Sequence, residues 1–286
     1  MVTSDANPYP TDRPLISLDV QRREGGVVEV TLRGPGKGNA MGPDFWAEVP
    51  VLFRALDTDE DVRAVVITGS GANFCFGLDL AAYASLWSTT LTEDGGLARP
   101  RTGLHDQIRT MQSALDAVAE CRKPVVAAIS GWCIGGGVDL IAACDVRYAG
   151  ADAKFSVREV RVAMVADMGS LQRLPGIISD GHLRELVLSG KDVDAARAAS
   201  IGLVNEVFDT PEATLAAARE FATQVAGNPP LVVQGIKQVL DAERSARVAA
   251  GLKLVAAWNA AFLPSADLAE AMAAFVERRD PKFTGR

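Results

Sequence analysis

The sequence predicts an α/β protein with a helical C-terminal region. Up to about residue 200, short apolar runs of strand type alternate with segments of helical periodicity. Beyond it the chain is rich in alanine and reads mostly as helix. Between 125 and 143 a buried strand runs through three consecutive glycines into a helix, the connection an α/β fold needs.

The elements follow in order. Met1–Pro14 is polar, holds three prolines and lacks a basic start and an apolar run, so residues 1–14 read as a flexible arm. Leu15–Val20 and Val27–Leu32 are strand-like, with Glu24-Gly25-Gly26 as the turn between them. After a Gly/Pro-rich loop, Pro43–Asp57 places Phe45, Val49, Leu52, Phe53 and Leu56 on one helical face; Pro43 suits the first turn and Pro50 is a site for a kink. Arg63–Thr68 is a buried strand that ends at Gly69-Ser70-Gly71. A loop and short helix over Asn73–Leu86 lead to a stretch, Trp87–Gly103, with little periodicity, read as a loop or lid. Leu104–Cys121 is helical, and Pro124–Ile129 is a strand followed by Gly135-Gly136-Gly137 and a helix over Val138–Ala143. Val146–Ala149 and Lys154–Val157 are short strands. Four helices then follow: Pro211–Ala226, Pro230–Arg247, Ala249–Leu263 and Ala266–Arg278. No Gly/Ser/Pro-rich linker separates independent domains, so residues 15–200 form a core and 201–286 a helical region.

Composition narrows the function. Hydrophobic residues are 48% and charged residues 23%, a globular balance with a sizeable core. A net charge of −7 argues against nucleic acid or an anionic membrane as partner. No apolar stretch approaches the roughly 20 residues that span a bilayer. Cys75, Cys121, Cys133 and Cys144 form no CxxC pair, and His105 and His182 lie far apart, so neither a zinc site nor a disulfide framework is indicated. Thr284-Gly285-Arg286 is not a peroxisomal address, and a cytoplasmic location is the expectation.

Three features carry chemistry. The glycine run opens a helix whose first N–H groups lack internal partners and whose dipole favours negative charge, which suits a phosphate or an oxyanion. No Lys-Ser/Thr follows it, so it is no Walker A loop, and its glycines fit a dinucleotide fingerprint poorly. A tight strand-to-helix turn explains the segment as well. Phe74-Cys75-Phe76-Gly77-Leu78-Asp79 would present another free N–H, that of Leu78, or else is a loop capped by Asp79. Finally, Asp139 and Asp167 sit in apolar surroundings, and Glu159 lies between Arg158 and Arg161. Carboxylates are costly to bury unless paired or protonated. Each has a bland reading too: a helix N-terminal charge for Asp139, a solvated ion pair for Glu159, an N-cap for Asp167.

Together Asn73–Leu80, Ala128–Tyr148 and Phe155–Pro175 resemble the crotonase (enoyl-CoA hydratase/isomerase) superfamily, with the order of elements agreeing over about residues 15–280. The resemblance implies a crotonase-like spiral of ββα turns, C-terminal helices that build a homotrimer or homohexamer, and an acyl-CoA thioester substrate. It implies an oxyanion hole from the N–H groups of Leu78 and Gly136, and acid/base residues at Asp139 and Glu159. A hydratase of the family usually has glutamate at both positions, and a small or apolar residue where Asp167 stands. The combination here is most similar to the dienoyl-CoA isomerase branch.

The implied reaction converts a 3,5-dienoyl-CoA into a 2,4-dienoyl-CoA. A proton leaves C2, a dienolate forms, and a proton arrives at C6. Two carboxyl groups at different points along the acyl chain suit such a shift. Asp167 is assigned as base at C2, Glu159 as acid at C6 and Asp139 as their electrostatic partner. No metal or redox cofactor is called for; coenzyme A is the handle of the substrate. Lys37 and Lys282 are candidates for its phosphates, although a solvated lysine is the plainer reading of either. A 2-enoyl-CoA hydratase, with Asp139 and Glu159 holding a water, is the first alternative. A non-catalytic acyl-CoA- or protein-binding module is the second.

Overall fold

The computed structural model describes residues 14–83 and 96–286. Strand β1 (Leu18–Arg22) pairs antiparallel with β2 (Val27–Leu32) through a turn in which Gly25 and Gly26 have φ of 73° and 80°. Helix α1 (Pro43–Thr58) starts on Pro43, as predicted, and runs on through Pro50 as one helix. Strand β3 (Ala64–Gly69) lies parallel to β2. The described part of the predicted loop or lid differs from expectation. Helix α2 (Ala98–Glu120) begins six residues before the predicted Leu104, because Pro100 falls in a first turn whose N–H groups have no intrahelical partner to lose. Residues 84–95, which end the predicted short helix and begin that stretch, lie outside the described residues, like nearly all of the predicted arm.

Strand β4 (Val125–Ile129) joins β3, and β6 (Val146–Gly150) and β9 (Glu206–Phe208) extend the sheet in the order β1-β2-β3-β4-β6-β9, parallel beyond the first pair. β3 and β4 are apolar on both faces because both faces are covered. Val65, Ile67, Val125, Ala127 and Ile129 point into the main core. Ala64, Val66, Val126 and Ala128 meet Ala218 and Ala222 of helix α7 (Pro211–Ala226). Glu29 on β2, 4% exposed, holds α7 from the sheet by accepting from Arg219 at 2.6 and 2.9 Å. The segment after residue 200 thus supplies both an edge strand and a covering helix to the core.

A second sheet is smaller. Strand β5 (Trp132–Ile134) pairs in parallel with β7 (Lys154–Ser156), and β7 pairs antiparallel with β8 (Val193–Asp194). β5, β8 and β9 have three residues or fewer, too short for alternation to show in the sequence. Helix α3 (Gly136–Ala143) follows β5 directly; α4 (Ser170–Arg173), α5 (Asp180–Ser189) and α6 (Ala195–Ser200) lie further on. This gives the α/β crotonase-like architecture: two sheets with helices gathered at the C-terminal end.

The two helices predicted over Pro230–Arg247 and Ala249–Leu263 are one, α8 (Pro230–Phe262), since nothing at Val248 stops a helix and that side chain is buried. Leu252, Val255 and Ala256 are buried within the chain at 6% exposure or less, and Ala256 joins its main core. Another face, with Leu254, Trp258 and Phe262, is more than half exposed. Helix α9 (Ala266–Glu277) closes the chain, ending at Arg278 in left-handed conformation. Among the described residues no single helix is long and apolar enough to cross a membrane.

Candidate active site

The site begins where two glycine turns touch. Gly77 has φ +80°, and a Cβ there would lie 2.8 Å from the Ile134 carbonyl and 2.9 Å from the Gly136 nitrogen. Only a residue without Cβ lets these backbones meet. Met41 donates its N–H to the Gly77 carbonyl (2.7 Å) and accepts from the Asp79 N–H (3.1 Å). Leu78, extended between those two contacts, therefore turns its own N–H away from Met41. Gly136 is the first residue of α3, entered through Gly135 at φ +52°. Among the described residues neither the Leu78 nor the Gly136 N–H has a hydrogen-bond partner. Asp79 also does what its bland reading says: its Oδ1 caps the following turn, accepting from Ala81 and Ala82 at 3.1 and 3.2 Å.

The three carboxylates gather beside this turn. A Cβ on Gly135 would stand 3.3 Å from Glu159 Oε1. Glu159 is not paired with its arginine neighbours: Arg158 and Arg161 both reach Asp192, and Glu159 turns inward. Its Oε2 is buried without a partner among the described residues. Asp139, in the first turn of α3 and 1% exposed, lies close enough for its charge to act on the Glu159 carboxyl. Its Oδ1 accepts the Ser170 N–H, while Oδ2 has no described partner. Asp167 is not the cap of α4, whose N-cap is Gly169 with no side-chain cap bond. Instead its Oδ2 accepts from Asn259 Nδ2 at 2.7 Å.

Burial dominates the electrostatics. It pushes the Asp139 carboxyl up to about 6, against the pull of the Ser170 N–H and the Arg173 guanidinium. Burial likewise takes Asp167 up to about 7; the Asn259 hydrogen bond opposes this and the Asp139 charge adds to it. Glu159 is driven well above the usual carboxyl range by burial and then by the charges of Asp139 and Asp167. Buried carboxyls this close cannot all ionise, so at least one proton stays in the cluster near neutral pH. A site that both accepts and donates a proton needs that division.

The structure shows no contact between Lys282 and this constellation. The Lys37 side chain lies outside the described residues. Lys282 is exposed beside Glu270, its backbone N–H donating to that carboxylate at 2.7 Å. A cleft of about 390 Å³ between α2 and α8 is lined by charged side chains such as Asp116, Glu120 and Arg244 and includes none of the three carboxylates.

Residues missed by the sequence reading support the site from behind. Asn259 and Gln112, 2% and 0% exposed, hold Asp167 and its backbone. Asn259 falls at helical spacing with Leu252, Val255 and Ala256, a polar residue in a buried stripe, and that was the signal available. Arg173, 3% exposed, pairs with Asp116, and Gly169 beside its guanidinium has φ +132°, a conformation that favours glycine.

Residues 22–286 match the enoyl-CoA hydratase/isomerase family. The peroxisomal Delta(3,5)-Delta(2,4)-dienoyl-CoA isomerase of Arabidopsis thaliana is 40% identical over 269 residues, 93% of this chain and 96% of that protein. The mitochondrial human enzyme of the same name is 40% identical over 272 residues, 95% of this chain and 82% of its own. The crystal structure of an enoyl-CoA hydratase/isomerase from Pseudoalteromonas atlantica T6c superposes with a TM-score of 0.81 at 29% identity, covering 94% of this chain and all of the other.

Proposed function

Because this chain belongs to the enoyl-CoA hydratase/isomerase family of enzymes, we propose that it converts 3,5-dienoyl-CoA thioesters into 2,4-dienoyl-CoA thioesters. The observation that carries this reading is the third carboxyl, half-buried Asp167, beside the Asp139–Glu159 pair. Hydration needs two groups around one water. A proton shift from C2 to C6 needs an acceptor and a donor at separate points of the acyl chain.

In this mechanism the thioester oxygen accepts from the N–H groups of Leu78 and Gly136. Ionised Asp167 takes the C2 proton, and the electron pair moves through the carbonyl to form a dienolate. The two amides stabilise the growing oxyanion, each by about 2.7–4 kcal/mol. Protonated Glu159 then delivers its proton to C6, leaving the conjugated product and a charge that the cluster must redistribute. The charge of Asp139 beside Glu159 raises the affinity of that carboxyl for its proton. Lys37 and Lys282 remain the proposed contacts for the CoA phosphates. A homotrimer or homohexamer is the proposed assembly, with the exposed face of α8 its apolar surface.

The test is the absorbance rise on forming the 2,4-dienoyl product, followed beside hydration of crotonyl-CoA. Asp167→Asn should lower isomerisation by about 10²–10⁴-fold and leave CoA-ester binding nearly unchanged. Full activity in that variant would refute the role of Asp167. Rapid hydration without isomerisation by the native enzyme would assign it as a 2-enoyl-CoA hydratase.

A further inference from the structure

Asp167 is held by two helices remote from it in sequence. From α2, Gln112 Nε2 donates to the Asp167 carbonyl at 2.6 Å and to the Leu252 carbonyl at 3.2 Å. The Gln112 Oε1 is taken by Arg109 at 2.5 Å, which fixes the amide. From α8, Asn259 Nδ2 donates to the Val165 carbonyl at 2.8 Å and to the Asp167 carboxylate at 2.7 Å. The Val165 carbonyl can only accept, so the NH₂ side of Asn259 must face it. The second hydrogen of that NH₂ then has one direction left, toward Asp167 Oδ2.

We propose that Asn259 is a positioning residue that makes Asp167, rather than Glu159, the proton acceptor of the site. The proposal rests on the isomerase reading of Asp167. A carboxylate binds a donor more strongly than a carboxylic acid does, so a fixed N–H favours the ionised form of the group it meets. Asp167 has such a donor, whereas Glu159 Oε2 is buried without one among the described residues. The other charged groups around Asp167 do not supply the difference. Asp139 and Glu159 oppose its ionisation by like charge, and Arg173 is committed to Asp116 and the Met168 carbonyl. Asn259 thereby distinguishes Asp167 from Glu159, two carboxyls that burial raises alike.

The experiment compares native enzyme, Asn259→Leu, Asn259→Asp and Asp167→Asn as kcat/KM for dienoyl isomerisation from pH 5 to 9, with Tm measured alongside. Asn259→Leu removes the donor at similar size. Its acidic limb should move to higher pH by about one to two units, with most of the rate recovered above the limb and KM little changed. Asn259→Asp keeps the shape, so it carries the test if the leucine variant fails to fold. It places a third acid against Asp167 and should move the limb at least as far. A merely structural role predicts a lower Tm and a uniformly lower rate with the limb in place; that result, with Asp167→Asn inactive, overturns this proposal alone. An active Asp167→Asn variant removes the base itself, and the proposal falls with the reading beneath it.

Discussion

Asp139 and Glu159 face each other because the strands that lead to them are parallel neighbours. Ile134, the last residue of β5, is level with Ser156, the last of β7. Asp139 follows in the first turn of α3, and Glu159 opens the 3₁₀ turn after β7. The register of a three-residue ladder thus sets a contact between two acids far apart in the chain.

That contact costs stability at neutral pH. Both carboxyls have folded pKa values above their ordinary ones, Asp139 at about 6. The folded chain therefore binds more protons than the unfolded chain from about pH 4 upward, so stability falls as pH rises through this window. Asp139→Asn removes one of the charges while its Oδ1 still accepts from Ser170. It should raise Tm by about 3–6 °C at pH 8 and change it little at pH 4. Thermal melts at both values decide this; an equal shift at both would exclude a charge origin.

The second expectation concerns Gly77. A methyl there meets two backbone atoms at under 3.0 Å, neither the end of a flexible side chain. Gly77→Ala should force the Leu78 and Gly136 amides apart and lower kcat by about 10²–10³-fold, the cost of losing one oxyanion donor. Circular dichroism would show whether the fold persists. A folded variant with native kcat would mean that these amides do not hold the reacting oxygen.

Much of this was legible in the sequence, and the reasons for the rest are physical. β2 and α7 fall where the sequence puts them, because six or more residues of continuous apolar or helical pattern are long enough to read. β5 has three residues and takes its identity from β7, a partner no local pattern names. Asp139, Glu159 and Asp167 stood out as acids in apolar or crowded surroundings, but their mutual contacts are set by ladder register and by α8. The break expected at Val248 had no stop residue behind it, and without one the helix continues.

The exposed face of α8 bears on assembly. Leu254, Trp258 and Phe262 recur every fourth residue at 70%, 53% and 61% exposure, and the Trp258 and Phe262 rings lie 4.7 Å apart. A contiguous apolar face of this kind is costly in water and suits a subunit contact. Leu254→Glu combined with Trp258→Glu should shift a trimer or hexamer toward monomer, read by light scattering at micromolar concentration. An unchanged mass in the double variant would place the interface elsewhere; a native monomer would remove the proposed assembly.

The pH dependence of turnover tests the division of labour among the three acids. The proposed base must be ionised to act. Asp167, raised to about 7 by burial, is half protonated there, so kcat/KM should fall about tenfold per pH unit below that value. The proposed acid must be protonated. Glu159 keeps its proton well above the ordinary carboxyl range, through burial and the neighbouring Asp139 charge, so activity should fall again when it ionises. The profile for dienoyl isomerisation should therefore be a bell whose acidic limb lies far above the ordinary carboxylate range of about 4. Glu159→Gln should remove the alkaline limb together with most of the rate, because the amide cannot deliver a proton to C6. In D₂O the product should carry deuterium at C6, located by mass spectrometry. A profile flat from pH 5 to 9, with native rate in Glu159→Gln, would show that the buried acids are not the proton carriers.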